Sequence, residues 1–532
     1  MVFVAQALAR LHAGKLGEAE QICRDVIDDS EQRPDALHIL GLVAHRRGNQ
    51  TEALAFMKDA VNADPRNGDR RLELGLLAYE IGSDYDAVAH LEALLAGCGE
   101  VPQALNCLGN ALLRLGHPNA AIDRLERSVS AAPRWAKAWT DLATAYRSAK
   151  RPMAAARALE GAYRQAPNTE TLLALGETLM EAGNLARANA YFKHLVKQDP
   201  SHVRGWLQYG NALRDLGHTR RALEAHREAA RMAPDDALAQ VELAQTQMLL
   251  GKLDDAFKQL TWRPKLPGLE PPGTLWDGKT PPHSGELTAY ADGEPGHTIA
   301  LCRLVPSLSE WAEHVRLAVQ PALAPLLRDA WLDADEVEVC SLAEVKRDAT
   351  VVDILSLPAI LGQAGGQIQL AGHLEPWLRL PRSARSAPAP SDEVVLRVGV
   401  NVSPDSTMNQ ADRNAAARLL DMPNGAVACM LVHPDDAQGE ELIALGEQIA
   451  QCDLVITNHL LTTHMAGALG VPAWALVPHG QGPMLGENGN GLYPGVRVYR
   501  SCSPSGWRAV FDAVHAALEE ETQVTECEVA AG

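Results

Sequence analysis

The sequence predicts an all-α array of paired helices followed by an α/β region built on parallel strands. Three observations predict it. Small residues return at a fixed spacing through the first half of the chain. Segments rich in Pro and Gly interrupt the sequence after residue 260, and a second break falls at residues 381–393. Beyond the first break, short apolar runs alternate with helical stretches.

Length and composition set the frame. At 532 residues the chain exceeds one core, since a domain holds roughly 150 residues. Hydrophobic residues make up 46% and charged residues 22%, a globular balance. Aromatics are only 5%, and Ala and Leu dominate, as close helix packing requires. A net charge of -19 argues against nucleic acid or an anionic membrane as the main partner. The nine cysteines are scattered with no CxxC pair, which indicates reduced thiols, no disulfide framework and no zinc site. No 18-residue apolar run suggests a membrane span. The start, MVFVAQALARLHAGKLGEAE, lacks a basic leader and reads as the first helix pair. A cytoplasmic chain with no metal or resident cofactor is therefore expected.

The helical array comes first. Ala7, Gly41, Gly75, Gly109, Ala143, Gly176, Gly210 and Ala244 are spaced by 34 residues, with one step of 33. Ala19, Ala53, Ala87, Ala121, Ala155, Ala188, Ala222 and Ala256 repeat at the same period. Pro65, Pro133, Pro167, Pro200 and Pro234 close most units. Small residues let two helices of a unit approach where larger side chains would hold them apart. Proline stops the second helix because it lacks an N–H and clashes with the preceding turn. This spacing resembles that of tetratricopeptide repeats, and about eight units fit residues 1–260.

Stacked units leave an extended concave surface lined by the first helix of each. Asn106, Asn110, Thr140, Thr144, Arg147, Asn211 and Arg214 fall on it by register. They are candidates for gripping a polypeptide client. A solvated helix face is the plainer reading of the same residues.

Residues 261–285 read as a linker that wraps, being rich in Pro and Gly. Two α/β segments follow, at 286–380 and 394–520, with a tail at 521–532. LTAYA, HVRLAVQ, EVEVCSL and TVVDILSL mark strands in the first segment. VVLRVGVNVS, AVACMLVH, DLVITN, PAWALVP and VRVYR mark them in the second. Strands separated by helices imply parallel sheets covered on both faces. Two such halves place a ligand beyond the carboxyl ends of the strands.

The stretch DLVITNHLLTTHMAGALGVPAWALVP resembles the signature of heptosyltransferase-like glycosyltransferases that occur fused to tetratricopeptide repeats. Further matches follow in order. They are Trp276-Asp277-Gly278, Gly296-His297-Thr298-Ile299 with Arg303 and Pro306, Leu355-Ser356-Leu357-Pro358, Val398-Gly399, Asp412-Arg413 and Tyr493-Pro494 with Arg500 and Trp507. The resemblance covers nearly all of 275–520. It implies two Rossmann-like halves in the GT-B arrangement and a nucleotide-sugar donor. Four departures accompany it. His297 and His459 stand where the family carries Asp, Leu460 stands for a Thr, and HGQGPMLGENGNGL replaces a Trp-Arg-Trp stretch. In the family those residues hold a nucleotide diphosphate.

The altered site has its own chemistry. Thr457, Asn458, His459, Thr463 and His464 surround a strand-to-helix junction suited to a donor phosphate. His433-Pro434 and His479 follow neighbouring strands. Bacterial sialyltransferases of the same general fold use a His-Pro pair beside the leaving cytidine monophosphate and an acidic-Gly motif as base. That similarity implies a CMP-activated nonulosonic acid as donor. Asp292 or Glu294, with His297 nearby, would then form the catalytic group, and His433 or His464 would steady the departing phosphate. An ordinary turn is the plainer reading of His433-Pro434. Residues 480–495 read as a loop over the cleft, not as a P-loop.

Domain order and altered motif together resemble the flagellin-modifying glycosyltransferases of alphaproteobacteria. That resemblance implies a protein O-glycosyltransferase whose repeats hold flagellin or another client. The alternatives are an adaptor with an inactive transferase domain and a regulator that senses a nucleotide sugar.

Overall fold

A computed structural model describes residues 2–331, 337–363, 376–378, 380, 396–403, 408, 410–420, 426–431, 440–478, 493, 495–501 and 506–531. His433, His479 and most of the 480–495 loop lie outside the described residues.

Helices follow one another in pairs from Val2 to Leu260. The packing reason is visible at the small residues. A Cβ placed on Gly176 would stand 2.3 Å from the Phe192 ring, and one on Gly109 would stand 2.5 Å from Leu125 Cγ. The eight alanines from Ala19 to Ala256 that form the second series are all 0% exposed. Helices Gln50–Ala63, Pro118–Ala131, Pro152–Gln165, Leu185–Gln198 and Thr219–Met232 each stop just before one of the five prolines. The turn inside a pair needs a left-handed residue. Gly116, Gly183, Gly217 and Gly251 supply it with φ of 81°, 72°, 75° and 70°, and Lys150 occupies the equivalent point at 57°.

The chain forms two compact units, Met1–Pro200 and Ser201–Gly532. The first unit contains the earlier helix pairs. Successive pairs there are stitched by polar contacts across one repeat, such as Arg147 Nε donating to Glu181 at 3.2 Å and Lys58 bonding Asp86 at 2.8 Å.

The second unit contains the last two pairs, Val203–Asp215 with Thr219–Met232 and Ala237–Leu249 with Leu253–Leu260. Among its described residues are ten strands: β1 (Thr274–Leu275), β2 (Glu286–Ala291), β3 (His314–Val319), β4 (Glu338–Ser341), β5 (Thr350–Asp353), β6 (Leu396–Asn401), β7 (Ala426–Met430), β8 (Leu454–Thr457), β9 (Ala473–Val477) and β10 (Val496–Arg500). They form two five-stranded sheets in the orders β1-β5-β2-β3-β4 and β10-β9-β8-β6-β7. Every pairing between these strands is parallel, and one isolated antiparallel bridge joins Trp331 and Leu378. Central strands are apolar on both faces; β9, for example, is buried at all five positions.

Two features differ from the sequence expectation. Residues 261–285 do more than wrap. They supply a 3₁₀ turn, Arg263–Lys265, and edge strand β1, whose Thr274 N–H and the following Trp276 N–H donate to Ala349 and Val351. Trp276 anchors the segment by packing edge-on against Trp311, with centroids 5.6 Å apart. The expected division at residue 260 also falls inside a compact unit. Met248, Phe257 and Leu260 join one core with Leu301, Leu304 and Leu355 of the α/β region, so burial of that surface holds the last pair to it.

His226 marks another local exception. It fills the place that Phe192 fills one repeat earlier, against Gly210 rather than Gly176. Its imidazole is 0% exposed and shares a 2.7 Å hydrogen bond with Thr246. Burial, with Arg214 adding repulsion, pulls its pKa down from 6.5 to about 3.

Gly176→Ala should lower stability by roughly 1–3 kcal/mol, because the Phe192 ring cannot yield. Gly41→Ala should cost less than about 1 kcal/mol, because the clash there is with the flexible Met57 side chain at 2.8 Å. Urea unfolding of both variants checks the difference. The neutral His226 contributes stability that is complete above pH 6.5 and is lost as pH falls toward 3, since only the unfolded chain takes up the proton. His226→Phe should therefore flatten the acid limb of a stability-against-pH curve, by at most about 1.4 kcal/mol per pH unit.

Candidate functional site

In an open parallel sheet, a crevice opens where neighbouring strands connect in opposite directions. Here that happens between β2 and its neighbours β3 and β5, and between β6 and its neighbours β7 and β8. Residues at the carboxyl ends of β2, β5, β8 and β9 meet around one cavity of about 610 Å³. Gly293, Glu294 and His297 come from the end of β2, and Leu355 follows β5. Thr457, Asn458, His459, Leu460 and Thr463 come from the end of β8 and the helix Leu460–Leu469. Ala475, Leu476 and Val477 end β9, and Pro478 follows it. The remaining wall comes from the last helix pairs and the turn after them: Arg214, Asp215, Val241, Gln245, Met248, Leu249, Leu260, Arg263 and Leu266.

The β8 end is set by its own polar bonds. Asn458 Nδ2 donates to Ser403 O at 2.8 Å, and its Oδ1 accepts from Ser403 N at 3.0 Å. His459 Nε2 and Ser403 Oγ lie 3.0 Å apart. Thr457 Oγ1 accepts from His459 N at 3.0 Å, and Thr463 Oγ1 donates to His459 O at 2.9 Å. This wall is polar and held in place before any ligand arrives.

The acidic residues after β2 have separate environments. Asp292 pairs with Arg263 Nη2 at 2.7 Å, while Arg263 Nη1 bonds the 1% exposed Asp353 at 2.9 Å. Asp292 is thus already matched by a cation. Glu294 caps the helix Pro295–Leu301 by accepting from His297 N at 3.3 Å, and it faces the cavity. Burial pushes its carboxyl above the usual range, and the N–H groups of Gly296 and His297 oppose the shift. His297 also faces the cavity; burial, with Arg263 adding repulsion, pulls it down from 6.5 to about 4, so it is neutral at pH 7.

His464 is placed differently from the expectation that it meets the donor. It is 0% exposed and does not line the cavity. Its ring packs so closely on Gly296 that a Cβ there would stand 2.6 Å away, and its Nδ1 shares a 2.8 Å hydrogen bond with the Tyr493 hydroxyl. Tyr493 stacks on Trp377 at 5.5 Å, and Arg303 lies 4.3 Å over that indole. The stack fills the space between the helices Pro295–Leu301 and Leu460–Leu469. His464 therefore serves packing where sequence reasoning expected a phosphate contact.

The expected client-binding residues are largely engaged with their own neighbours. Asn106 is 5% exposed, and Asn110 Nδ2 donates to Asp141 at 2.9 Å. Thr140 Oγ1 donates to Lys137 O at 2.8 Å, and Arg147 bonds Glu181. Asn211 Oδ1 is buried without a partner among the described residues. Arg214 pairs with Glu242 at 2.7 Å and lines the cavity. Sequence reasoning missed Arg263, Val241, Gln245 and Met248 as cavity residues. The last three could have been found by carrying the repeat register of Asn106, Asn110 and Arg147 forward to the final pair.

Comparison with known proteins supports the helical array. Residues 4–68, 108–169 and 173–217 match one tetratricopeptide-repeat family, and residues 203–246 match another. The helix pairs are tetratricopeptide repeats. Among solved structures, the chain is similar to MamA at 24% identity, over 32% of this chain and 93% of that one, with a TM-score of 0.31. YrrB, described as a TPR protein with an unusual peptide-binding site, matches at 21% over 34% and 95%, with a TM-score of 0.32. A tetratricopeptide-repeat protein from Parabacteroides merdae matches at 17% over 46% and 97%, with a TM-score of 0.33. No curated protein matches the chain. The two parallel sheets are compatible with an α/β domain, and no helix among the described residues is long and apolar enough to cross a membrane.

Arg263→Met should cost about 3–5 kcal/mol, because it leaves the buried Asp353 carboxylate unpaired. Adding Asp353→Asn should restore part of the loss. The urea midpoints of wild type, single variant and double variant give the answer.

Proposed function

We propose that this protein is a glycosyltransferase that modifies a polypeptide client held by its repeats. The observation that carries the reading is the composite cavity, in which repeat helices and strand ends face one space. Tetratricopeptide repeats suit protein recognition, and parallel strand ends at a switch point suit an activated small molecule.

The chemistry falls to few groups. Glu294 is the base: its carboxyl faces the cavity, and burial raises its proton affinity toward neutral pH, where a general base works best. It takes the proton of a client Ser or Thr hydroxyl. The hydroxyl oxygen forms a bond to the anomeric carbon of the donor. The bond from that carbon to the leaving phosphate oxygen breaks, and the phosphate keeps the electron pair. The fixed wall of Asn458, His459 and Thr463 orients the donor. His297, neutral at pH 7, hydrogen-bonds without adding charge. Asp292 holds Arg263 and takes no proton from the client.

The two cavity arginines bear on donor choice. Arg214 and Arg263 are both paired with carboxylates. A donor bearing one phosphate, such as a CMP-activated nonulosonic acid, needs less new cationic contact than a nucleotide diphosphate sugar. Flagellin is a suitable first client on the domain-order resemblance. The same arginine pairing favours the second reading, an adaptor whose cavity is idle.

Incubating the full chain with flagellin and a CMP-nonulosonic acid should raise flagellin mass by one or more sugar units. Glu294→Gln should lower the rate at least about 100-fold while leaving flagellin binding within about twofold. Unchanged mass with CMP-, UDP- and GDP-sugars, despite flagellin binding, contradicts the transferase and leaves the adaptor.

A further inference from the structure

Two thiols flank one glycine at the edge of the second sheet. β6 and β7 pair in parallel with Gly399 directly opposite Cys429. Residues paired in this way point to the same face of a sheet, and so does Leu431, two positions beyond Cys429. A Cβ on Gly399 would stand 2.8 Å from Cys452 Sγ and 3.2 Å from Leu431 Cδ1. Cys452 Sγ therefore fills the space over β6 that a side chain at 399 would take. The Cβ of Cys429 leaves the neighbouring strand on that same face, one strand spacing of about 4.8 Å away.

The surroundings of the two thiols differ. Cys452 is 8% exposed, shares a core with Leu431, Leu445 and Ile449, and donates to Gln448 O at 3.2 Å. Burial pushes its thiol up to about 12, and the nearby Cys429 adds to the shift. Cys429 lies on β7, the edge strand of the sheet, and is exposed. Both are free thiols. One sulfur is thus open to a reagent in solution, and the other waits behind it, protected and protonated.

We propose that Cys429 and Cys452 are a redox modification site, which a hydroperoxide closes to a disulfide tying edge strand β7 across β6 to the start of β8. The exposed Cys429 reacts first, as its thiolate, because burial keeps Cys452 protonated. Its sulfur attacks one peroxide oxygen and the O–O bond breaks. The leaving hydroxide keeps the electron pair and takes a proton to become water, and Cys429 is left as a sulfenic acid. Cys452 sulfur then attacks Cys429 sulfur. The S–O bond breaks, and the oxygen leaves as a second water carrying the Cys452 proton. Two thiols are oxidised to one disulfide, and one peroxide is reduced to two waters. The site is separate from the cavity and does not depend on the transferase reading.

The test treats the full chain with hydrogen peroxide, blocks remaining thiols with N-ethylmaleimide, and maps the digested peptides by mass. The peptides bearing Cys429 and Cys452 should appear linked, at a mass about 2 Da below their sum, and dithiothreitol should separate them. In Cys452→Ser, dimedone should label Cys429, the sulfenic acid having lost its partner. In Cys429→Ser, Cys452 should remain a thiol and take N-ethylmaleimide once the chain is unfolded in urea. The exposed Cys98 reports that the oxidant has acted. Oxidation of Cys98 with Cys429 and Cys452 still unlinked overturns the proposal. So does a Cys429 disulfide to any other cysteine, or loss of the Cys452 thiol in Cys429→Ser to the wild-type extent. The wild-type map decides the matter even where a variant fails to fold.

Discussion

One guanidinium holds the candidate site together. Arg263 sits just beyond the last repeat helix and bonds both Asp292 and the buried Asp353, which follow or end β2 and β5. Paired charges at this depth tolerate little displacement, since an unpaired buried carboxylate is costly. The turn Arg263–Lys265 is thereby fixed against the strand ends. The helices before it, anchored by Phe257 and Leu260 in the α/β core, become one wall of the cavity. Without that ion-pair network, Asp292 would compete with Glu294 as an open carboxylate.

The second constraint is a sharing of roles among histidines. His226, His297 and His464 are all held neutral by burial. Only His297 faces the cavity. His226 substitutes for an aromatic ring between repeat helices, and His464 keys Gly296 against Tyr493. A histidine count alone would have exaggerated the cationic character of this site. The cavity is lined mainly by apolar side chains, with Arg214, Asp215, Arg263 and Glu294 as its charged groups and Asn458, His459 and Thr463 among its neutral polar ones.

Much of the fold was legible in the sequence. The 34-residue spacing is a direct imprint of Gly and Ala at helix crossings, and the prolines fall where helices end. Strands were legible because two-sided burial leaves continuous apolar runs such as AWALV. The position of the unit boundary was not legible. Leu260 keeps the register of Phe192 and His226, but that register does not say that it meets the sheets, and Arg263 lies beyond the repeats. Thr457, Asn458, His459 and Thr463 do gather at one strand end, as a strand-to-helix junction suggests. The burial of His464 was hidden because it depends on Gly296, distant in sequence, and on Tyr493. The pairing of Asp292 was hidden for the same reason, its partner lying 29 residues earlier.

The central claim is that repeat helix and strand ends serve one ligand site. Hydrogen–deuterium exchange on the full chain, with and without a CMP-activated sugar and a client peptide, tests it most directly. The account predicts slower exchange in 241–249 and in 457–464 together when both ligands are present. Protection confined to the repeats before residue 200, with both segments unchanged, would contradict it.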